Sequence, residues 1–154
     1  MNRILVTGAA GFIGFHVARQ LLERGDAVIG FDVVNDYYDP ALKQARLSEL
    51  AAYPAFTFVK GDIANRAAME DLWRVHGPFT RVIHLAAQAG VRYSLDNPYA
   101  YVQSNCMGHV TVLEMCRHTE GFEHLVYASS SSVYGGNRAL PYSEIGRASC
   151  RERV

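Results

Sequence analysis

Thr7-Gly8-Ala9-Ala10-Gly11-Phe12-Ile13-Gly14 joins a short apolar run, Arg3 to Thr7 (RILVT), to a stretch of helical period that begins near Phe12. Its glycines are spaced G-x-x-G-x-x-G. Without a Cβ, the first two allow a tight turn and close approach of a ligand to backbone N–H groups, and the third lets helix and strand pack closely. The orphan donors and positive dipole end of the helix then face whatever lies above the turn. Glycines at a strand-to-helix turn can also serve geometry alone, so the reading depends on the residues around them.

Working outward, the second apolar run, Ala27 to Phe31 (AVIGF), ends at Asp32, about twenty residues past the glycines. A carboxylate there can accept from both hydroxyls of an adenosine ribose, and its charge repels a 2′-phosphate. No arginine lies among Val33, Val34, Asn35 and Asp36 to reverse that preference, so NAD is favoured over NADP. An exposed turn carboxylate is the competing reading. Gly61-Asp62-Ile63 follows the third apolar run, where Asp62 can accept from an adenine amino group and Ile63 can cover the ring. The fourth run ends in His84-Leu85-Ala86-Ala87, whose small residues let a cofactor lie across strand ends. His84 reads as a packed strand residue rather than a catalyst. The predicted NAD-binding set is therefore Gly8, Ala10, Gly11, Phe12, Ile13, Gly14, Asp32, Asp62, Ile63, Leu85, Ala86 and Ala87.

The whole chain repeats this alternation of apolar run and helical period, which predicts an α/β fold with a parallel sheet. Strands are expected at Arg3 to Thr7, Ala27 to Phe31, Phe56 to Lys60, Arg81 to Leu85 and His124 to Ala128, in the order 3-2-1-4-5 of a Rossmann-type doubly wound sheet. Helices are expected from Phe12 to Arg24, with Phe12, Val17, Leu21 and Leu22 on one face and Gly25 ending it. Others run from Pro40 to Ala52, from an N-cap at Asn65 to Gly77-Pro78, and from Tyr99 to His118 as one long helix carrying Val102, Cys106, Val110, Leu113 and Met115. With 49% apolar residues and zero formal charge, one globular domain is the default. Nothing basic or aromatic-basic suggests nucleic acid or a membrane surface. No signal peptide or spanning stretch is apparent, which points to the cytoplasm. Cys106 and Cys116 read as buried free thiols, and neither the cysteines nor the scattered histidines suggest a metal site.

Taken together, TGAAGFIG, Asp32, GDI, HLAAQAG, Asn105 and YASSSSVYGG resemble the extended short-chain dehydrogenase/reductase family over about residues 2–143. Within it, FDVVNDYYDPALKQARL, HLAAQAGVRYSLDNPYAYV and LVYASSSSVYGGN look most like UDP-glucuronate 4-epimerases. The resemblance implies reversible oxidation at C4 of a UDP-sugar with tightly held NAD, and no net redox change. It implies that Ser130 is the catalytic hydroxyl that bonds the sugar oxygen, that Ser131 and Ser132 line the sugar site, and that Asn105 supports the hydrogen-bond network near the cofactor. Related 4,6-dehydratases place an Asp-Glu pair where Ser131-Ser132 stand, which argues against elimination chemistry. Arg92 could attract an acidic group of the substrate, since a guanidinium fork fits carboxylate and phosphate; a solvated arginine is the alternative. Val33 replaces the asparagine usual beside the ribose-binding acid.

The base in that family is the tyrosine of Tyr-x-x-x-Lys. A phenol needs such help, since its unperturbed pKa is about 10. The only lysines are Lys43 and Lys60, preceded four positions earlier by Asp39 and Phe56, so the pair is absent from these residues. The expected organisation is an incomplete NAD-binding domain over residues 1–143, truncated after the fifth strand, followed by a non-native tail over 144–154. That tail, EIGRASCRERV, lacks apolar period and resembles a translated sequencing adapter. The complete protein would be a homodimeric isomerase, and the chain as it stands would be inactive.

Overall fold

The computed structural model describes residues 3–134 and 141. The tail read at 144–154 and the side chains of Ser131 and Ser132 lie outside the described residues.

Strand β1 (Arg3–Thr7) leads through the glycine turn to α1 (Phe12–Glu23), β2 (Ala27–Asp32), α2 (Pro40–Ala51), β3 (Phe56–Lys60), α3 (Arg66–His76) and β4 (Arg81–His84). Two short helices follow, α4 (Tyr93–Asp96) and α5 (Pro98–Tyr101). From α5 the chain passes without a break through a π-helical segment, Val102–Met107, into α6 (Gly108–Arg117), then β5 (His124–Tyr127) and a 3-10 turn at Ser131–Tyr134. All strand pairs are parallel, in the order β3-β2-β1-β4-β5. This is the expected doubly wound, Rossmann-type sheet.

Alternation along the buried strands builds a core on each face. Ile4, Val6 and Val28 turn to one side, where α1 and α2 cover them with Phe15, Ala18, Leu21, Leu22 and Leu50. Leu5, Ile29, Phe31 and Val82 turn to the other, against Met69 and Leu72 of α3 and Val112 and Cys116 of α6. Period-two strands with both faces covered read as near-continuous apolar runs, which is why RILVT and AVIGF were legible. Local signals set the ends of the helices. Asp39 and Asn65 cap α2 and α3, accepting from the amides of Ala41 and Ala68, and Gly25 adopts φ +94° just past α1.

Three expectations are corrected. Phe12 does not share the core face of α1; it is exposed, and the buried face is Gly14, Phe15, Ala18, Leu21 and Leu22. The expected single helix from Tyr99 to His118 starts at Pro98, contains the π segment, and turns Val102, Val110 and Leu113 outward, while Gly108, Val112 and Cys116 face the core. One extra residue per turn rotates everything that follows, and a periodic apolar pattern does not reveal that shift. Cys106, which lies in this segment, is consequently exposed; Cys116 is buried, as expected.

Candidate functional site

The carboxyl ends of β1, β2 and β4 surround a cleft of about 400 Å³. Its floor is the glycine turn. Gly8 adopts φ +74°, and a Cβ there would lie 2.8 Å from the backbone of Leu85 and Ala86. A Cβ on Gly14 would overlap the Gly8 carbonyl, so the start of α1 is pressed against the turn as only glycine permits. Alone among α1, α2 and α3, helix α1 has no side-chain cap, and its N-cap is Gly11. Its first donors open on the cleft, ready for an anion.

Asp32 is buried at the end of β2. Its Oδ2 accepts from the Ala10 amide at 3.1 Å and its Oδ1 from the Val34 amide at 2.8 Å. An ionised carboxylate offers about four acceptor positions, so two remain for hydroxyls of a ligand. Asp62 closes a local turn by accepting from the Ala64 amide, and Ile63 is buried against the α6 backbone at Gly108. Across the cleft, Leu85 and Ala86 are held through Thr7. The Thr7 hydroxyl accepts from both of their amides at 3.2 Å, so its own proton goes to Nδ1 of His84, 2.7 Å away. His84 is therefore a neutral acceptor at Nδ1. Burial, aided by the nearby His109, pushes its pKa down to about 4.

Of the predicted cofactor set, Gly8, Gly11, Phe12, Ile13, Gly14, Asp32, Asp62, Ile63, Leu85, Ala86 and Ala87 all line the cleft. Ala10 does not: it is wholly buried and serves through its amide. Asn105 is exposed and not part of the lining, its side chain accepting from the Gln88 amide at 2.8 Å and donating to the Gln88 carbonyl at 3.0 Å. Ser130 is exposed in the turn after β5 and is not part of the lining. Arg92 is exposed at the start of α4 and also stays outside it.

Sequence reasoning missed Tyr37, Tyr38, Lys43, Gln88 and Ser104, which complete the walls. Lys43 is only 4% exposed; its ammonium donates to the carbonyl and side-chain oxygen of Asn35 and lies 4.4 Å from the Tyr38 ring centre. Burial holds its pKa below the ordinary lysine value, partly countered by Asp32 and Asp36. A signal was available: Lys43 keeps helical register with Leu47 and Leu50, the buried face of α2. Among the described residues no cluster of His, Cys, Asp or Glu could hold a metal ion, and no helix is long and apolar enough to cross a membrane.

The sequence profile of the family described as GDP-mannose 4,6 dehydratase matches residues 5–151. UDP-glucuronate 4-epimerase 3 of Arabidopsis thaliana is 53% identical over 144 residues, which cover 94% of this chain and 33% of that protein. Among solved structures, UDP-glucuronic acid 4-epimerase from Bacillus cereus, in complex with UDP-glucuronic acid and NAD, superposes with a TM-score of 0.79 at 35% identity, covering 92% of this chain and 44% of that one. UDP-glucose 4-epimerase from Brucella ovis, in complex with NAD, gives 0.74 at 32% identity, covering 94% of this chain and 40% of that one. The chain thus spans less than half the length of these relatives.

Proposed function

The chain belongs to the family that the GDP-mannose 4,6-dehydratase profile defines, and from that membership we propose that it forms the NAD-binding part of a 4-epimerase converting UDP-glucuronate to UDP-galacturonate. The observation that carries the cofactor reading is the uncapped start of α1 opening on a glycine-floored cleft, with the Asp32 carboxylate at the neighbouring strand end. A diphosphate would meet the amides of the turn and of the first turn of α1. The adenosine ribose would meet Asp32, which repels a 2′-phosphate and so selects NAD over NADP. Ile63 and Asp62 would take the adenine.

NAD bound there would supply reversible hydride exchange with C4 of the sugar. Thr7 keeps the Leu85-Ala86 backbone beside the turn, and Asn105 fixes Gln88 one step further along the same wall. Ser130 would bond the reacting sugar oxygen, with Ser131 and Ser132 lining the sugar site and Arg92 reaching an acidic group. The Ser131-Ser132 pair, where related dehydratases carry Asp-Glu, supports epimerisation over elimination. Epimerisation or decarboxylation of another UDP-sugar is the neighbouring reading, since UDP-glucose 4-epimerases share the fold. The setting we propose is a cytoplasmic homodimer.

A second reading, a dinucleotide-binding module without catalysis, shares the cleft and the Asp32 carboxylate with the first. Incubation of the full-length protein with NAD+ and UDP-glucuronate, followed by proton NMR of the sugar, separates the two. Appearance of UDP-galacturonate supports the epimerase. NAD+ binding with no turnover of UDP-glucuronate, UDP-glucose or UDP-galactose supports the module, and absence of NAD+ binding overturns both.

A further inference from the structure

Three tyrosines join the two loops that flank the glycine turn. β1 lies between β2 and β4 in the sheet, so the loops that follow β2 and β4 rise on either side of the turn at its end. Tyr37, in the loop after β2, packs at a tilt against Tyr93 of α4 with ring centres 5.0 Å apart, and Tyr93 lies 6.3 Å from Tyr101 of α5. The Tyr37 hydroxyl occupies the space that a Cβ on Gly90 would need, and Gly90 adopts φ +91°. Tyr101 donates to the carbonyls of Ala89, at 3.0 Å, and Gly90, and its hydroxyl also meets that of Tyr37. Tyr37 and Ala89 both line the cleft, so the contact of Tyr37 with Gly90 joins its two sides.

Each side of this bridge is anchored at its base. Lys43 pins Asn35, two residues before Tyr37, with two hydrogen bonds, and Asn105 pins Gln88, two residues before Gly90, with two more. The bridge itself consists of the Tyr37–Tyr93 ring contact and the contacts of the Tyr37 hydroxyl with Gly90 and Tyr101, and Tyr37 is 40% exposed. Such contacts are the weakest joint in the assembly and the place where it would part.

We propose that Tyr37, Tyr93 and Tyr101 form a clasp over the bound dinucleotide, with Tyr37 as the positioning residue that governs its release. The inference rests on the NAD-binding reading and adds a kinetic role to it. A cofactor that is reused at every turnover benefits from slow release, and a clasp supplies that without a further contact to the reacting atoms.

The test is stopped-flow displacement of NADH by excess NAD+, read by NADH fluorescence, with association measured separately. Tyr37→Ala should raise the dissociation rate at least fivefold without slowing association. Tyr93→Ala should act in the same direction, and Tyr37→Phe, which keeps the ring but loses the hydroxyl contacts, should raise the rate less than Tyr37→Ala. The melting temperature of the ligand-free variants should match the parent, which a purely structural role would not allow. If the parent binds NADH and Tyr37→Ala changes its release less than fivefold, the clasp is overturned and the cofactor reading stands. If the parent binds no NADH, the cofactor reading fails and the clasp with it.

Discussion

β1 and β5 run parallel in the same sheet and are both followed by turns at its ligand-facing end, yet their surroundings differ sharply. Leu5 and Val6 of β1 have no exposed surface, whereas Val126 and Tyr127 of β5 are about half exposed. β1 has strand neighbours on both sides and helices on both faces; β5 pairs only with β4 among the described residues. The difference separates two kinds of chemistry. The half around β1 holds a finished cleft, with its floor, acid and walls in place. The half around β5 meets that cleft at Ala128, while Ser130, two residues on, is exposed and not part of the lining.

The largest expected effect tests that contrast in stability. Leu5→Ala removes a fully buried side chain and should cost about 2–5 kcal/mol in urea denaturation, while Val126→Ala should stay within about 0.5 kcal/mol. Equal costs would mean that β5 is covered as β1 is.

His84 extends the comparison, because it sits on β4 between the two halves. Its folded pKa, about 4, lies below the ordinary histidine value because of burial and the nearby His109. Between pH 6.5 and about 4 the unfolded chain binds a proton that the folded chain refuses. Its contribution to stability is therefore complete above pH 6.5 and declines as the pH falls through that window, by roughly 3 kcal/mol. Urea unfolding at intervals from pH 7 to 4 should show this slope in the parent and lose most of it in His84→Asn. A parent slope as shallow as the variant's would place solvent against the ring.

What the sequence disclosed follows the same division. All five strands and the carboxylate at the end of β2 were legible because apolar runs, glycines and caps are local signals, and their order followed from the doubly wound fold that the glycine turn implies. The π segment was not, since Val102, Val110 and Leu113 keep a helical period whichever face they present. Tyr37 and Tyr93 were not, because only the folded sheet brings the loops after β2 and β4 together. Ser130 was named by resemblance, since a run of serines after a strand carries no local signal that singles one of them out.

Asp32 should give the next effect in size. Asp32→Asn keeps the shape but removes the charge that the amides of Ala10 and Val34 face. A charge-assisted hydrogen bond contributes about 1.5–3 kcal/mol, so NAD+ affinity measured by calorimetry should fall about ten- to a hundredfold. Discrimination against NADP+ should narrow at the same time. An unchanged preference for NAD+ would remove Asp32 from cofactor selection.

The smallest effect on the fold belongs to Arg92, in the loop after β4 and outside the lining of the cleft. Arg92 is exposed at the start of α4 and no hydrogen bond of the described residues runs from its side chain to the cleft, so Arg92→Ala should leave stability within about 0.5 kcal/mol and NAD+ affinity unaltered. Its consequence should lie in substrate choice. A guanidinium facing the sugar carboxylate would favour UDP-glucuronate over UDP-glucose, which differs from it there by a neutral hydroxymethyl group. Loss of that preference in Arg92→Ala, with UDP-glucose binding unchanged, would tie the loop after β4 to the sugar. Equal binding of UDP-glucuronate before and after the substitution would leave Arg92 a solvated surface residue and shift the source of acid recognition away from this loop.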